Sequence, residues 1–194
     1  MKWKIAILAV IVGYMLTSTA TASQTYDIDK SHASVGFTVD HLVISRVRGD
    51  FREFSGSIEM DDEGQVQRVS ATIEVQSIDT AIENRDNHLR SADFFDAEKY
   101  PQITFKSKEV RQNDGTSVLI GDLTIHGVTK EIALPFTLKG PIQGPSGKTR
   151  IGFEAGTVIN RKDYGLNWSK TIETGGLVVG EEVELQINLE AIKQ

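Results

Sequence analysis

The stretch "EVELQINLEAI", residues 182–192, alternates between apolar and polar side chains along its length. The apolar side chains of this alternation are those of Val183, Leu185, Ile187 and Leu189. An amphipathic helix would space its apolar residues three and four apart, whereas a period of two places them on one face of an extended chain. The stretch therefore predicts an antiparallel β-strand with one buried face and one solvated face.

The same alternation recurs through most of the chain. Further strands are predicted at residues 34–42, 48–60, 69–77, 103–110, 118–127, 131–140 and 149–159. The segments between most of them are short and carry the Gly, Asp, Asn and Pro residues that turns require. Short connections place consecutive strands side by side, so the sequence predicts an all-β meander of about eight strands.

Eight long strands with one apolar face fold either into a sandwich or into a closed barrel. Several of these strands are about ten residues long or longer, against about five or six for a typical strand. Long up-and-down strands favour a barrel, which also removes exposed sheet edges. With a rise of about 3.4 Å per residue and a tilt near 40°, the barrel would be about 26 Å tall. An eight-stranded barrel is wide enough for one small ligand.

The first 22 residues are predicted to be a signal peptide. Lys2 and Lys4 precede an uncharged apolar run from Ile5 to Leu16, and small residues follow, ending in Ala20-Thr21-Ala22. This order is typical of a secretory signal, and the run is shorter than the about twenty residues that a spanning helix needs. We therefore expect cleavage after Ala22, export, no membrane span in the mature chain, and one domain over residues 23–194.

Composition excludes several classes of function. Removing residues 1–22 changes the formal net charge from −6 to −8, because that segment holds two lysines and no acids. An acidic chain with scattered cations is a poor nucleic-acid binder. The chain has no cysteine, so disulfides, thiolate metal sites and cysteine nucleophiles are excluded, and a hydrophobic core must hold the fold. No Gly-rich phosphate-binding motif occurs, and no cofactor is predicted.

The segment 80–96 breaks the strand pattern. It contains most of "RDNHLRSADFFDAEKYP", residues 85–101, in which charged residues surround two adjacent phenylalanines. Asp79 or Thr80 is suited to cap a helix here. The residue before Pro101 is driven toward extended geometry, which ends any helix. We therefore predict a short helix and loop that cover one end of the barrel as a lid.

A metal site is not predicted. The four histidines are His32, His41, His88 and His126. None of them pairs with another at the H-x-H or H-x-x-x-H spacing that a local ligand set would show, and each lies on a different predicted element.

Acid/base chemistry in the lid is an alternative that the residues leave open. Asp86 and His88 are candidate acid and base groups, with Asp93 and Asp96 nearby in the sequence. Charged clusters of this kind also arise as ion-paired lids without chemistry. No G-x-S-x-G nucleophile motif accompanies them.

A ligand chamber inside the barrel is the third candidate. Its apolar wall is predicted to comprise Phe37, Val39, Phe51, Phe54, Phe94, Phe95, Phe105, Leu123, Phe136, Phe153 and Trp168. Its polar mouth is predicted to comprise His41, Arg85, Asp86, His88 and Arg90, whose side chains could hold a polar or anionic head group. The same apolar side chains could instead simply fill the barrel, as they do in many small barrels.

Several blocks of the sequence, in order, resemble the YceI-like family of bacterial proteins. The most specific is "RDNHLRSADFFDAEKYPQITFKS", residues 85–107. The others are "YDIDKSHASVGFTVDHL" (26–42), "GDFREFSGSIEMD" (49–61), "GDLTIHGVTKEIALP" (121–135) and "VINRKDYGLNW" (158–168). The block 26–42 departs from the family's His-Ser pattern, because Ala33 lies between His32 and Ser34.

The resemblance implies an extended eight-stranded antiparallel barrel similar to lipocalins. It also implies a periplasmic protein that binds a polyisoprenoid or another long-chain amphiphile, as carrier, store or sequestering agent, and no catalytic activity. An enzyme that uses Asp86 and His88 and a scaffold with a filled barrel remain the alternatives. A homodimer is left open.

Overall fold

The computed structural model describes residues 23–113, 116–171 and 177–194, so the predicted signal peptide lies outside the described residues. The strands are β1 Gln24–His41, β2 Ser45–Phe51, β3 Phe54–Met60, β4 Val66–Glu74, β5 Ile78–Asp79, β6 Gln102–Asn113, β7 Thr116–Ile125, β8 Val128–Gln143, β9 Thr149–Asn160 and β10 Val179–Lys193. One α-helix, α1, spans Glu83–Arg90, and two 3-10 turns span Val75–Ser77 and Arg161–Tyr164. Within the described part of the chain, no helix is both long enough and apolar enough to cross a bilayer.

The strands form a closed antiparallel barrel, which confirms the predicted fold class. The order β10-β9-β8-β7-β6-β4-β3-β1 returns to β10 through the β1–β10 pairing, so eight strands complete the circuit. The long strand β1 pairs with β3 near its start and with β2 over its second half. The short strand β5 then adds to the outer side of β2. A closed circuit leaves no exposed edge along most of the wall.

The predicted strand 48–60 is interrupted at residues 52 and 53. There the backbone leaves β1, and Arg52 N–H donates to the Ser77 carbonyl at 3.1 Å. Phe51 and Phe54 are three positions apart, so in an unbroken strand they would point to opposite faces. The interruption lets both rings be buried, at 7% and 6% exposure. The predicted strand 69–77 likewise ends early, at Glu74, where a 3-10 turn begins.

The stretch 182–192 lies within β10 and closes the barrel between β1 and β9. Leu185 pairs with Phe37 of β1 on one side and with Thr157 of β9 on the other. Leu185, Ile187 and Leu189 all contribute to the hydrophobic core, as the alternation predicts. The period of two therefore assigns the buried face of this strand correctly.

One end of the barrel is tightly packed, and we call it the closed end. Its core side chains are almost completely buried and include Tyr26, Ile58, Met60, Leu119, Ile151 and Ala191. The opposite end is covered by α1 and the following turns, and we call it the lid end. The lid end is therefore covered by a separate helix and its turns, whereas the closed end is filled by side chains of the strands themselves.

The predicted helix in the lid is confirmed, but its predicted cap is wrong. Ile82 occupies the N-cap position and makes no side-chain capping bond. Asp79 instead accepts a hydrogen bond from Ala81 N–H at 2.8 Å, and the backbone turns at Ala81 with φ of 65°. The pairing of Asp79 with Asp50 of β2 holds it in strand geometry, so it cannot also cap a helix that starts at Glu83.

Candidate ligand-binding site

Two adjacent cavities lie inside the barrel. The first, the central cavity, has a volume of about 120 Å³ and is bounded by residues of every strand except β5. The second, the lid cavity, has a volume of about 90 Å³ and lies beneath α1 and the turns that follow it. Both walls share the side chains of Phe37, Phe51, Ile103, Ile125 and Leu185. Together they form one apolar bore that is partly filled by side chains.

Most of the predicted wall residues line this bore. Phe37, Phe51, Phe54, Phe105, Leu123 and Phe153 line the central cavity. Phe37, Val39, Phe51, Phe94 and Phe95 line the lid cavity. Phe136 and Trp168 line neither cavity: Phe136 is buried and stacks on Phe153 with 5.1 Å between ring centroids, and Trp168 packs on Phe94 at the same distance.

The lid inserts its apolar side chains into the barrel mouth. Leu89 from α1 and Phe94 and Phe95 from the next turn border the lid cavity. The ring of Phe95 meets the ring of Phe51 edge-on, with centroids 6.1 Å apart. Asp96 then turns the chain with φ of 47° and brings Ala97 into the core at 2% exposure. The two phenylalanines thus act as the inner surface of the lid.

Arg85 and Asp86 hold the start of the lid to Thr80. Asp86 is 6% exposed and accepts hydrogen bonds from Thr80 N–H at 2.8 Å and from its hydroxyl at 2.5 Å. Arg85 donates to the Thr80 hydroxyl and carbonyl, both at 2.7 Å. These side chains are engaged within the lid and line neither cavity.

Arg90 holds the other end of α1 to the barrel. Its guanidinium donates to the carbonyls of Gln76 at 2.9 Å and Ile78 at 2.7 Å, and to the side chain of Asn87 at 3.0 Å. A guanidinium has its donors in a fixed fork, which suits two carbonyls presented side by side. In this arrangement the arginine anchors the helix and does not face the bore.

His88 lies on the outer side of the lid. Its Nε2 is 3.0 Å from Asp93 Oδ2, and its side chain is 40% exposed. Its ring meets the rings of Phe94 and Trp168 edge-on at 5.0 and 5.2 Å. His41 is half-buried at the end of β1, opposite Ser45 and Val179. That these polar residues contact a ligand therefore stays a prediction.

A buried arginine at the lid cavity was not expected from the sequence. Arg161 is 4% exposed and donates to the carbonyls of Gly180 at 2.8 Å, Val179 at 3.3 Å and Leu166. Burial lowers the pKa of its guanidinium from its ordinary value. The backbone carbonyls satisfy the polar end, so it is the apolar stem that contributes to the cavity wall. A single charged residue in a turn carries no periodic signal that would have identified it.

Tyr164 lies beside Arg161 and also borders the lid cavity. It is 2% exposed, and burial raises the pKa of its hydroxyl to about 12. The hydroxyl therefore stays protonated throughout the ordinary pH range. Neither Tyr164 nor Arg161 brings an ionisable atom that titrates near neutral pH into the bore.

Among the residues that the structure describes, one group of potential metal ligands is found, and it lies at the closed end. Oxygen or nitrogen atoms of Asp29, His32 and Glu190 come within 4.8 Å of one another. Arg150 bridges the two carboxylates, with distances of 2.7 Å to Asp29 and 2.8 Å to Glu190. Hydrogen bonds from Ser31, Arg150 and His32 hold the pKa of Asp29 below its usual range. The guanidinium supplies the positive charge that these acids need, so the group is an ion-pair cluster.

Comparison with known proteins identifies one family. The family model of the YceI-like domain matches residues 26–191. A UPF0312 protein of Photorhabdus laumondii is 36% identical over 179 residues, which are 92% of this chain and 90% of that protein. A YceI protein of Campylobacter jejuni superimposes with a TM-score of 0.70 at 36% identity, covering 86% of this chain and 96% of the other.

A more distant structure shares the fold. It is described as a polyisoprenoid binding domain from Saccharophagus degradans, implicated in plant cell wall breakdown. It superimposes with a TM-score of 0.64 at 18% identity, over 87% of this chain and 98% of the other. At this level of identity the similarity establishes a common barrel architecture.

Proposed function

Because the chain belongs to the YceI-like family, we propose that it binds one long-chain lipid, a polyisoprenoid or a similar amphiphile, inside the barrel. The proposal is carried by the apolar bore, whose two adjacent cavities share five apolar wall residues. A hydrocarbon chain needs no hydrogen-bond partner and gains about 25 cal/mol for each Å² removed from water. A polar ligand would lose its hydrogen bonds to water there without replacement. The filled-barrel scaffold is less well supported, because the interior retains these cavities.

The dimensions of the bore favour a chain that lies lengthwise. Each cavity is smaller than an ordinary ligand pocket, which has a volume of about 300–1,000 Å³. The rings of Phe37 and Phe51 border both cavities, so a chain that occupies both must displace these rings and part of the lid. A narrow, flexible tail can thread such a space in steps, whereas a compact rigid ligand of equal volume cannot.

We assign the protein the role of carrier, store or sequestering agent in the periplasm, without chemistry of its own. The signal-like residues 1–22 support the location. The Saccharophagus degradans domain offers a parallel for lipid binding in the same fold. The alternative enzyme would use Asp86 and His88 together. In the described structure Asp86 bonds to Thr80 and His88 pairs with Asp93, so no observation favours that pairing.

The first test is direct. Lipid is extracted from protein purified from its native cells and identified by mass spectrometry, and uptake of a fluorescent prenyl probe is titrated. We expect a prenyl or other long-chain lipid in the extract and saturable uptake of the probe.

A matched pair of variants tests whether the probe binds inside the barrel. Ala71 borders the central cavity, and Ala71→Phe would fill much of it with a ring. The neighbouring Thr72 alternates to the outer face, so Thr72→Phe adds the same ring outside. We expect Ala71→Phe to weaken uptake about tenfold or more, equivalent to about 1.4 kcal/mol, and Thr72→Phe to leave it unchanged. Absence of lipid together with absence of uptake by the parent protein would refute lipid binding.

A further inference from the structure

The turn between β1 and β2 exposes apolar side chains at the lid end. We call residues 42–44, Leu-Val-Ile, the β1–β2 tip. Val43 is 72% exposed and Ile44 is 86% exposed. Both His41 and Ser45, which pair across the base of this turn, belong to the strands of the barrel wall. The tip therefore extends beyond the paired part of the hairpin into solvent.

The tip is also backbone-strained. Leu42 has φ of 53° and Val43 has φ of 64°. Ile44 N–H donates to the His41 carbonyl at 3.3 Å, so Leu42 and Val43 are the two central residues of a β-turn. Hairpin turns with positive φ at both central positions strongly prefer Asn-Gly or related pairs. Positive φ is a genuine outlier for a β-branched residue such as valine. A polar, unstrained turn would close this hairpin more easily, and strain of this kind tends to persist where a residue has a function.

Other apolar residues lie beside the tip. Leu42 N–H donates to the Val178 carbonyl at 3.0 Å, which places the half-buried Leu177 and Val178 next to the turn. Trp168 belongs to the same end of the barrel, because its ring packs on Phe94 of the lid. Tryptophan is enriched at membrane–water interfaces, where its ring sits among head groups. The end of the barrel that carries the lid thus has further apolar side chains beside the tip.

We propose that the β1–β2 tip inserts into the surface of a lipid bilayer and docks the lid end of the barrel on it. Val43 and Ile44 would enter the boundary between head groups and acyl chains, the zone in which amphipathic anchors lie about 5–10 Å deep. The proposal goes beyond lipid binding in the bore but rests on it for its purpose. The surface brought to the membrane is the one through which a lipid would reach the lid cavity.

The dimensions of the tip favour a bilayer over a second protein. A stable complex buries about 800 Å² on each partner, over a patch of about 20–30 residues. Two strongly exposed side chains on a narrow projection cannot supply that area, but they can insert into a fluid surface. The tip is therefore expected to contact lipid, and association with a second copy of the chain is one outcome of the test.

Apolar contact, and not charge, is the expected driving force. Arg46, two residues beyond the tip, is already paired with Asp40 at 3.3 Å and with Glu184 at 2.8 Å. The formal net charge of the chain is negative. Docking should therefore occur on neutral vesicles and persist when salt screens ionic attraction.

Vesicle flotation tests the proposal. The protein is purified as the cell produces it, and its mass is measured, since retained residues 1–22 would bind a bilayer themselves. Phosphatidylcholine vesicles, with and without phosphatidylglycerol, are mixed with the parent protein and with the Val43→Ser/Ile44→Ser variant. We expect the parent to float with both vesicle types. The double variant should bind about tenfold less, equivalent to about 1.4 kcal/mol, because serine gains less free energy than valine or isoleucine on leaving water.

The matched control is Ile142→Ser. Ile142 is 64% exposed but lies near the end of β8, at the closed end of the barrel, so its loss should leave flotation unchanged. Circular dichroism confirms that each variant is folded. A second variant, Leu42→Asn/Val43→Gly, supplies the residues that the turn prefers; it should raise the urea midpoint while still losing flotation.

Three outcomes would overturn the docking proposal. These outcomes are a parent protein that does not float, tip variants that float like the parent, or equal loss in Ile142→Ser. Sedimentation that shows a dimer in the parent and a monomer in the tip variants, without flotation, would assign the tip to a protein interface. Probe uptake from solution is measured on the same variants. Flotation of a parent protein that neither carries lipid nor takes up the probe would refute the proposed function while docking stands, and lipid binding without flotation would do the reverse.

Discussion

At the scale of single residues, the charged side chains of the lid are explained by the backbone groups that they satisfy. Asp86 is buried and accepts hydrogen bonds from both the backbone N–H and the hydroxyl of Thr80. A buried donor that loses its partner costs the free energy of its desolvation, about 1–3 kcal/mol. Asp93 differs because it pairs with His88 at the surface and is 61% exposed. Two nearby aspartates thus have very different expected effects on stability.

We predict that Asp86→Ala lowers the free energy of unfolding by about 2–3 kcal/mol, because two Thr80 donors become unsatisfied inside the protein. Asp93→Ala is the control and should change it by less than about 1 kcal/mol, since exposed ion pairs contribute little. Urea unfolding followed by tryptophan fluorescence measures both. Equal effects of the two substitutions would contradict this assignment.

At the scale of elements, α1 is a short helix whose position depends on anchors outside it. The helix has only eight residues and makes no side-chain N-cap, so its own propensity is marginal. Arg90 joins it to the carbonyls of Gln76 and Ile78, and Leu89 packs on the core. The lid is therefore expected to open as a unit at lower free energy than the barrel strands.

We predict that Arg90→Ala increases hydrogen exchange in residues 83–97 by about tenfold or more, since the two charge-assisted hydrogen bonds that join the lid to the carbonyls of Gln76 and Ile78 are lost. Exchange in β7 and β8 should not change. Arg111→Ala, which removes an exposed pair with Glu109 on β6, is the control and should leave the lid protected. Mass spectrometry of peptide fragments reads out each region. Uniform acceleration across the barrel would mean that the lid does not open on its own.

At the scale of the whole molecule, the strands that close the barrel are joined by an ion-pair cluster at the closed end. Asp29 of β1, Arg150 of β9 and Glu190 of β10 meet there, so the cluster spans the strands on both sides of β10. The pKa of Asp29 is lowered by hydrogen bonds from Ser31, Arg150 and His32. A carboxylate whose folded-state pKa is lowered stabilises the fold above its unfolded pKa, near 3.8, and loses this contribution as pH falls below it.

We therefore predict that the contribution of Asp29 to stability is constant between pH 7 and about pH 5, and that it is lost progressively below about pH 4, where the carboxyl group is protonated in the unfolded chain but still ionised in the folded one. The substitution Asp29→Asn should lower stability at neutral pH and show a shallower fall in acid. Glu98→Gln, a change at an exposed lid carboxylate, should follow the parent curve. Thermal unfolding at a series of pH values measures the slopes. An acid slope as steep in the Asp29→Asn variant as in the parent would assign the acid sensitivity to other carboxylates.

The local alternation of apolar and polar residues predicts most of the barrel. The period of two in "EVELQINLEAI" assigns Leu185, Ile187 and Leu189 to the core before any partner strand is known, because alternation depends only on backbone geometry. The same rule places Phe37 and Phe105 in the bore. The break of strand pattern in 80–96 locates the lid and its phenylalanines. The rule fails at Phe51 and Phe54, where an interruption of the strand changes the phase.

The sequence alone therefore determined the strand periodicity, most of the inward faces, the eight strands of the closed circuit and the place of the lid, since these are set by neighbouring residues. Only the tertiary structure decided that Arg85, Asp86 and Arg90 hold the backbone of residues 76–80. It alone decided that Arg161 is buried and that the bore retains two small cavities. The partners of long charged side chains, and the volume that packed rings leave between them, depend on segments far apart in the chain that folding brings together.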